Sequence, residues 1–130
     1  MLTGVTELRI SSQNKLFIPD LYQKYLESSC IVIAEDASLN CPLLSIIKDD
    51  SDAIRWYYFF NALDGNFDRS QQMFVRFSII NGAIKFPDFI VKKLGYEVVL
   101  VGIGDQLELY SKSHWQITSM EIMGAVLDLK

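Results

Sequence analysis

One local pattern occurs twice in this chain, as RISSQNKLFIPDLYQKYL (residues 9–26) and as RFSIINGAIKFPDFIVKKL (residues 76–94). Pro19-Asp20 and Pro87-Asp88 coincide at an offset of 68 positions. A repeated pattern indicates one structural unit built twice, so these two stretches decide how the remaining residues are interpreted.

Each copy predicts a strand, a turn, a second strand and a short helix. The first strands alternate apolar and polar residues, as half-buried strands do, and the turns contain Asn or Gly, which tolerate positive φ. A proline follows the second strand in each copy, where a helix begins at no hydrogen-bonding cost. The predicted segments are strands at 8–10 and 75–77, turns at 13–14 and 81–82, strands at 16–18 and 84–86, and helices from Pro19 and Pro87. Matching Arg9 to Arg76 requires one extra residue in the second turn.

A second hairpin follows in each copy. Apolar runs predict strands at 31–34 and 43–47 in the first copy and at 98–101 and 106–110 in the second. Carboxylates at Asp49, Asp50 and Asp52 predict the start of a linking helix that runs to about residue 61.

These segments predict a mainly β fold with short helices, of the α+β class, made of two tandem ββαββ repeats. We interpret residues 1–130 as a single domain. The first repeat and the linking helix span 5–62, the second repeat spans 69–118, and a C-terminal helix spans 119–130. The start of that last helix is predicted from Thr118 and Glu121, which have the spacing of a capping box.

Composition favours a globular protein. Half of the residues are hydrophobic and the net charge is −4. Residues 1–65 carry five basic and nine acidic side chains, whereas 69–119 carry six basic and four acidic ones, so one basic face remains compatible with the overall charge. The sequence lacks a signal peptide and an apolar run of the roughly 18 to 20 residues that a membrane span needs, which predicts a cytoplasmic protein without membrane association.

Catalytic and metal sites are not predicted. Cys30 and Cys41 are interpreted as small buried hydrophobes, and His114 is the single histidine, which leaves too few soft ligands for zinc. No nucleophile-elbow or triad spacing surrounds His114. We therefore predict a protein that is not an enzyme and that uses no cofactor, no metal and no small-molecule substrate.

The tandem units resemble the bacterial MraZ family, within the wider AbrB/MazE-like group. The likeness is closest in the second half: Lys85-Phe86-Pro87 leads into a helix ending at Gly95, a glycine-bounded hairpin covers 97–112, and Trp115 follows. The resemblance implies a double-split β-barrel in which the two copies intertwine. It further implies a homo-oligomer, as a ring, that binds repeated DNA sites upstream of the division and cell-wall gene cluster.

The DNA-reading signature of that family is Asp-x-x-Gly-Arg, and this chain departs from it. The corresponding positions are Ser11, Asn14 and Lys15 in the first copy and Ile79, Gly82 and Ala83 in the second. Lysine neutralises a phosphate but lacks the planar fork of arginine. The candidate DNA-binding residues are Arg9, Gln13, Asn14, Lys15, Arg76 and Lys85.

Five consecutive aromatic residues, 56–60, lie in the predicted linking helix. Successive helical positions are about 100° apart, so five in a row cannot all face one core. Either the helix is wedged between two layers of the domain, or some of the aromatics form a subunit interface, for which Trp56, Tyr57 and Phe60 are the candidates.

Two functions remain open at this point. The first is a sequence-specific, homo-oligomeric transcriptional regulator that binds double-stranded DNA and associates with the nucleoid. The second is a relative that keeps the fold and the assembly but has lost DNA binding, and serves as an assembly or protein-interaction module.

Overall fold

The structure, a computed structural model, describes residues 2–34, 43–63 and 73–128 of the chain. Within these ranges it contains eight strands and four helices. In chain order they are β1 (Val5–Arg9), β2 (Lys15–Phe17), α1 (Asp20–Leu26), β3 (Ser29–Ala34), β4 (Leu43–Lys48), α2 (Ser51–Leu63), β5 (Met73–Ser78), β6 (Ala83–Lys85), α3 (Asp88–Leu94), β7 (Glu97–Ile103), β8 (Gln106–Ser111) and α4 (Lys112–Asp128). The predicted mainly β, α+β class is confirmed, and each predicted strand is present with its bounds shifted by a few residues.

The strands form two antiparallel sheets. One has six strands in the order β1-β7-β8-β4-β3-β5, and the other has two, β2 and β6. The larger sheet is open, because β1 and β5 form its two edges, so the described strands do not close into the barrel that the resemblance implies. Each edge strand pairs with the other half of the chain, since β1 lies beside β7 and β5 lies beside β3.

The main core lies between the two sheets. Alternate residues of the large sheet point into it, and the small sheet and the helices α1 and α3 cover it from the other side. Its fully buried members include Leu16, Leu26, Leu44, Ile46, Ile84, Phe86, Ile90, Leu100 and Leu107. Burial of this many large apolar side chains is the main driving force of the fold.

The opposite face of the large sheet is covered by α2 and α4. Tyr57 of α2 is buried against Ile31, Ile33 and Ile47 in a second, smaller apolar cluster. Over β8, the rings of Tyr110 and Trp115 meet at 5.1 Å between centroids. The domain is therefore layered, with the small sheet, α1 and α3 on one side of the large sheet and α2 and α4 on the other.

The tight turns follow the predicted residues. Asn14 has φ 63°, and Asn81 and Gly82 have φ 52° and 78°. The two turns also contact the other half of the chain: the Asn14 side chain donates a hydrogen bond to Asp88 at 2.5 Å, and Gly82 lies under the Gln23 side chain, where a Cβ would come within 2.8 Å of the amide nitrogen.

The predicted start of the C-terminal helix is wrong. The helix α4 begins at Lys112, so Thr118 lies well inside it. The cap is Ser111, the last residue of β8, whose hydroxyl accepts a hydrogen bond from the His114 backbone N–H at 3.2 Å. The boundary between 118 and 119 in the predicted domain organisation consequently falls within one continuous helix.

Cys30 is fully buried in the main core with a free thiol, as its interpretation as a small hydrophobe requires. Burial, with a smaller contribution from the Asp49 charge, raises the pKa of this thiol to about 12. Cys41 lies outside the described residues. In the part of the chain that the structure describes, no helix is both long enough and apolar enough to cross a membrane.

Candidate nucleic-acid interface

Two of the candidate lysines are brought side by side by the small sheet. Lys15 of β2 lies directly opposite Lys85 of β6 in the antiparallel ladder, although the two residues are 70 positions apart. Residues paired in this way project from the same face of a sheet. The central pair, Leu16 and Ile84, is fully buried and projects the other way, so both lysines are on the outer face. We call the outer face of β2 and β6 the basic ribbon.

Within the described ranges, the two ammonium groups of the basic ribbon have no acidic side chain in salt-bridge contact. Among the described residues, neither Lys15 nor Lys85 makes a salt bridge, while four other ion pairs are present. Like charges directly across a ladder are unfavourable in isolation, and an anion placed between them removes that repulsion. The arrangement is chemically suited to a phosphate group, which lysine binds as a point charge.

The turn beside the ribbon is held by its own backbone contacts. The Ser11 hydroxyl accepts hydrogen bonds from the backbone N–H groups of Gln13 and Lys15, at 3.3 and 3.1 Å. Asn14 is occupied, because its side-chain amide donates to Asp88. Gln13 is exposed at the tip of the turn. Of these two candidates, the structure leaves Gln13 available for an external contact and gives Asn14 a structural role.

Arg9 does not join the basic ribbon. Its neighbour Leu8 packs against the main core, so Arg9 projects from the other face of β1. There it lies 3.8 Å from Glu97, with both side chains exposed, and it lines an open cleft together with Tyr96 and Lys112.

Arg76 is also engaged elsewhere. Its Nε donates to Asp49 Oδ2 at 2.8 Å, and the same oxygen accepts a hydrogen bond from the Ser29 hydroxyl at 2.7 Å. The bond from Ser29, followed by the bond and charge of Arg76, holds the pKa of Asp49 below its ordinary value despite partial burial. Arg76 therefore ties the edge strand β5 to the end of β4. The structure brings together Lys15 and Lys85 and separates both arginines from them.

The aromatic residues 56–60 of α2 include both a core residue and exposed residues that could form a subunit interface. Tyr57 is 6% exposed and belongs to the apolar cluster against the sheet, so it is a core residue and not an interface residue. Trp56 and Phe59 are 58% and 54% exposed, and their rings meet edge to face at 5.8 Å between centroids. The side chain of Phe60 lies outside the described residues. Phe59 was not among the candidates, because exposure on a helix depends on how the helix is rotated against the sheet.

No family model matches this sequence, and a search of curated proteins finds no match either.

Proposed function

We propose that this chain is a DNA-binding regulator of the MraZ-like type, a cytoplasmic protein built from two intertwined repeats. The strand order supports the repeat. If β1, β2, β3 and β4 are exchanged with β5, β6, β7 and β8, the order of the large sheet is reversed but otherwise unchanged, and β2 and β6 exchange places. An arrangement of this kind is what two copies related by an approximate twofold axis produce.

The strand registers refine how the copies correspond. Arg9 lies opposite Glu97 in the β1–β7 ladder, and Ser78 lies opposite Ser29 in the β5–β3 ladder. Glu97 and Ser29 are the first residues of β7 and β3, which the exchange of copies relates to each other. Their partners Arg9 and Ser78 therefore correspond, and Arg9 does not correspond to Arg76. On this correspondence the extra residue lies in the first turn, whereas the sequence alignment places it in the second.

The single observation that carries the DNA-binding proposal is the pairing of Lys15 with Lys85 on the basic ribbon. A two-stranded antiparallel ribbon has the width to enter the major groove of B-DNA. The ribbon is short, so one subunit offers few contacts, and several subunits on repeated sites have to combine them.

Replacing both lysines, as Lys15→Ala with Lys85→Ala, is expected to weaken binding to the protein's own upstream DNA by at least about tenfold at low salt. The dependence of log K on log salt should become shallower by about one unit for each phosphate that the protein no longer neutralises. Both side chains are on the surface, so the fold should be unaffected. Fluorescence anisotropy with a labelled duplex, at several salt concentrations, measures both quantities.

The control is Arg55→Ala, which removes one positive charge from the exposed side of α2, on the opposite face of the large sheet. Because α2 is also a proposed subunit interface, light scattering first checks that this variant keeps the oligomeric state of the unmodified protein. It should leave affinity and salt dependence close to those of the unmodified protein. If the protein fails to bind its upstream DNA at low salt, or if the lysine variant binds as tightly as the control, the regulator proposal is wrong and the assembly-module proposal replaces it.

The assembly module stands as the second candidate because large apolar side chains are exposed on α2 and α4. Besides Trp56 and Phe59, the exposed set on α4 comprises Ile117, Met120 and Met123. Large apolar side chains exposed to solvent mark interaction surfaces where they form a contiguous patch. We propose that both functions share a homo-oligomer formed through them.

Substituting Trp56→Glu together with Phe59→Glu is expected to shift the protein from an oligomer toward the 14.9 kDa monomer. A carboxylate buried in a subunit interface lacks compensation, whereas on a free surface it is solvated. Light scattering coupled to size exclusion at micromolar concentration measures the shift. Tyr57→Glu provides the contrast, because it should unfold the domain and not merely dissociate it. An unmodified protein that is already monomeric removes the argument for a subunit interface.

A further inference from the structure

A second candidate site is formed by α2 and the turn between β7 and β8. These elements enclose a cleft of about 570 Å³. Its lining combines aromatic rings with carboxylates and contains no lysine or arginine among the described residues. The residues that carry the argument are Tyr25, Asp50, Asp52, Trp56, Tyr57 and Asp105. None of them belongs to the basic ribbon, so the inference below does not depend on DNA binding. Trp56 is shared with the proposed subunit interface, so the titrations are made at a protein concentration at which light scattering reports the monomer.

The three aspartates differ in the hydrogen bonds and ion pairs that their carboxylates make. Asp50 caps α2, because its Oδ1 accepts a hydrogen bond from the Ala53 backbone N–H at 2.7 Å, and its Oδ2 lies 4.0 Å from Lys48 Nζ. Asp52 and Asp105 are exposed, and no salt bridge to either is present in the described ranges. These two carboxylates, one on each side of the cleft, are the available anionic groups.

The aromatic rings provide the walls. Tyr57 is anchored in the apolar cluster, Trp56 is largely exposed, and Tyr25 is held by a hydrogen bond from its hydroxyl to the Asp105 carbonyl at 3.0 Å. Burial, and then the charges of Asp105 and Asp50, raise the pKa of Tyr25, whereas Lys48 acts in the opposite direction. Of these causes only the two carboxylates favour a cation, because burial disfavours a charge of either sign.

At the edge of the cleft, one cation already contacts an aromatic ring and a carboxylate. Lys48, which lies outside the lining, places its ammonium group 5.7 Å from the centroid of the Tyr25 ring and 3.5 Å from Glu27. This combination of a ring face and carboxylates is the arrangement that stabilises organic cations in proteins.

We propose that this cleft binds an organic cation, a guanidinium or ammonium group carried on a short apolar stem. The charged end lies between Asp52 and Asp105, and the stem packs against Trp56 and Tyr57. Such a group occurs both in free amines and in the side chains of arginine and lysine.

The probe for the test is butylguanidinium, with butylurea as a neutral compound of nearly the same shape. The chain has two tryptophans, so a Trp115→Phe background leaves Trp56 as the single reporter of intrinsic fluorescence. Butylguanidinium is expected to change the Trp56 signal saturably in the millimolar range, whereas butylurea should bind at least about tenfold more weakly. Equal affinity for the two compounds, or no saturable change with either, overturns the proposal.

Charge-neutral variants locate the site. Asp52→Asn and Asp105→Asn, made in the same background, should each weaken butylguanidinium binding about threefold, since both remove an exposed carboxylate without changing its shape. Glu7→Gln removes a charge on the exposed side of β1, outside the cleft, and should have no effect. Unchanged affinity in both aspartate variants, or an equal reduction in the control, overturns the proposal. Asp50 is not substituted because it caps α2.

A final comparison asks whether the cation belongs to a protein side chain or to a free molecule; either answer is compatible with the proposed site. The tripeptide acetyl-Gly-Arg-Gly-amide is titrated in parallel with butylguanidinium. Binding of the peptide at least about tenfold more tightly assigns the cleft to an arginine side chain of a protein, and equal or weaker binding assigns it to a free organic cation.

Discussion

Residues 1–66 and 67–130, produced as separate polypeptides, are expected to be unfolded or aggregated, and to become soluble and folded when they are produced together. Within the described ranges the strands form six ladders, of which β3–β4 and β7–β8 are the two contained in a single half. The other four, β1–β7, β2–β6, β3–β5 and β4–β8, join the two halves.

Each isolated half would therefore keep one hairpin, and its small-sheet strand would be without a partner. A lone two-stranded hairpin is at best marginally stable in water. The apolar side chains of the main core, which come from both halves, would be left exposed to solvent. The free energy forgone in this way exceeds the whole stability of an ordinary domain of this size.

Circular dichroism and thermal unfolding of the two halves, alone and co-purified, measure this result. The intact chain, expressed in the same way, is the control for solubility. A half that is monomeric, well dispersed by NMR and cooperative in thermal unfolding would show that the halves are independent domains and would contradict the intertwined arrangement.

Gly102→Ala is expected to destabilise the protein by about 2–4 kcal/mol and to lower Tm by roughly 10 °C. A Cβ at this position would lie 2.7 Å from the Thr3 nitrogen and 2.9 Å from the Leu2 carbonyl carbon. Both are backbone atoms that cannot rotate away as the end of a side chain can. The N-terminal segment would have to separate from β7, which breaks the 2.9 Å hydrogen bond from the Gly102 N–H to the Gly4 carbonyl and uncovers the buried Leu2.

Gly124→Ala is the matched control for that substitution. Gly124 lies in α4, is exposed, and has no described atom within 4 Å of the position of an added Cβ. Alanine should stabilise this position by up to about 1 kcal/mol, because it is the better helix former. Differential scanning calorimetry of both variants measures the contrast, and a Tm for Gly102→Ala equal to that of the unmodified protein would contradict the close approach of the two backbones.

The sequence by itself was sufficient for the local elements. Alternation and short apolar runs identified the strands, Pro19 and Pro87 preceded the two short helices, and Asn14, Asn81 and Gly82 occupied the turns with positive φ. These features depend on interactions between residues a few positions apart, which a single chain displays directly. The start of α4 was the local exception, because the capping residue Ser111 is also the end of a strand and Thr118–Glu121 has the spacing of a cap inside a helix.

Only the tertiary structure decided which strands pair and what each side chain contacts. The adjacency of Lys15 and Lys85, the bond of Arg76 to Asp49 and the burial of Tyr57 beside the exposed Trp56 all follow from pairings between distant segments. A strand pattern shows which face is apolar but not which neighbour will cover it, because every β-strand offers the same backbone donors and acceptors. The choice of partner is made by the burial of the whole core at once, and that is a property of the folded chain.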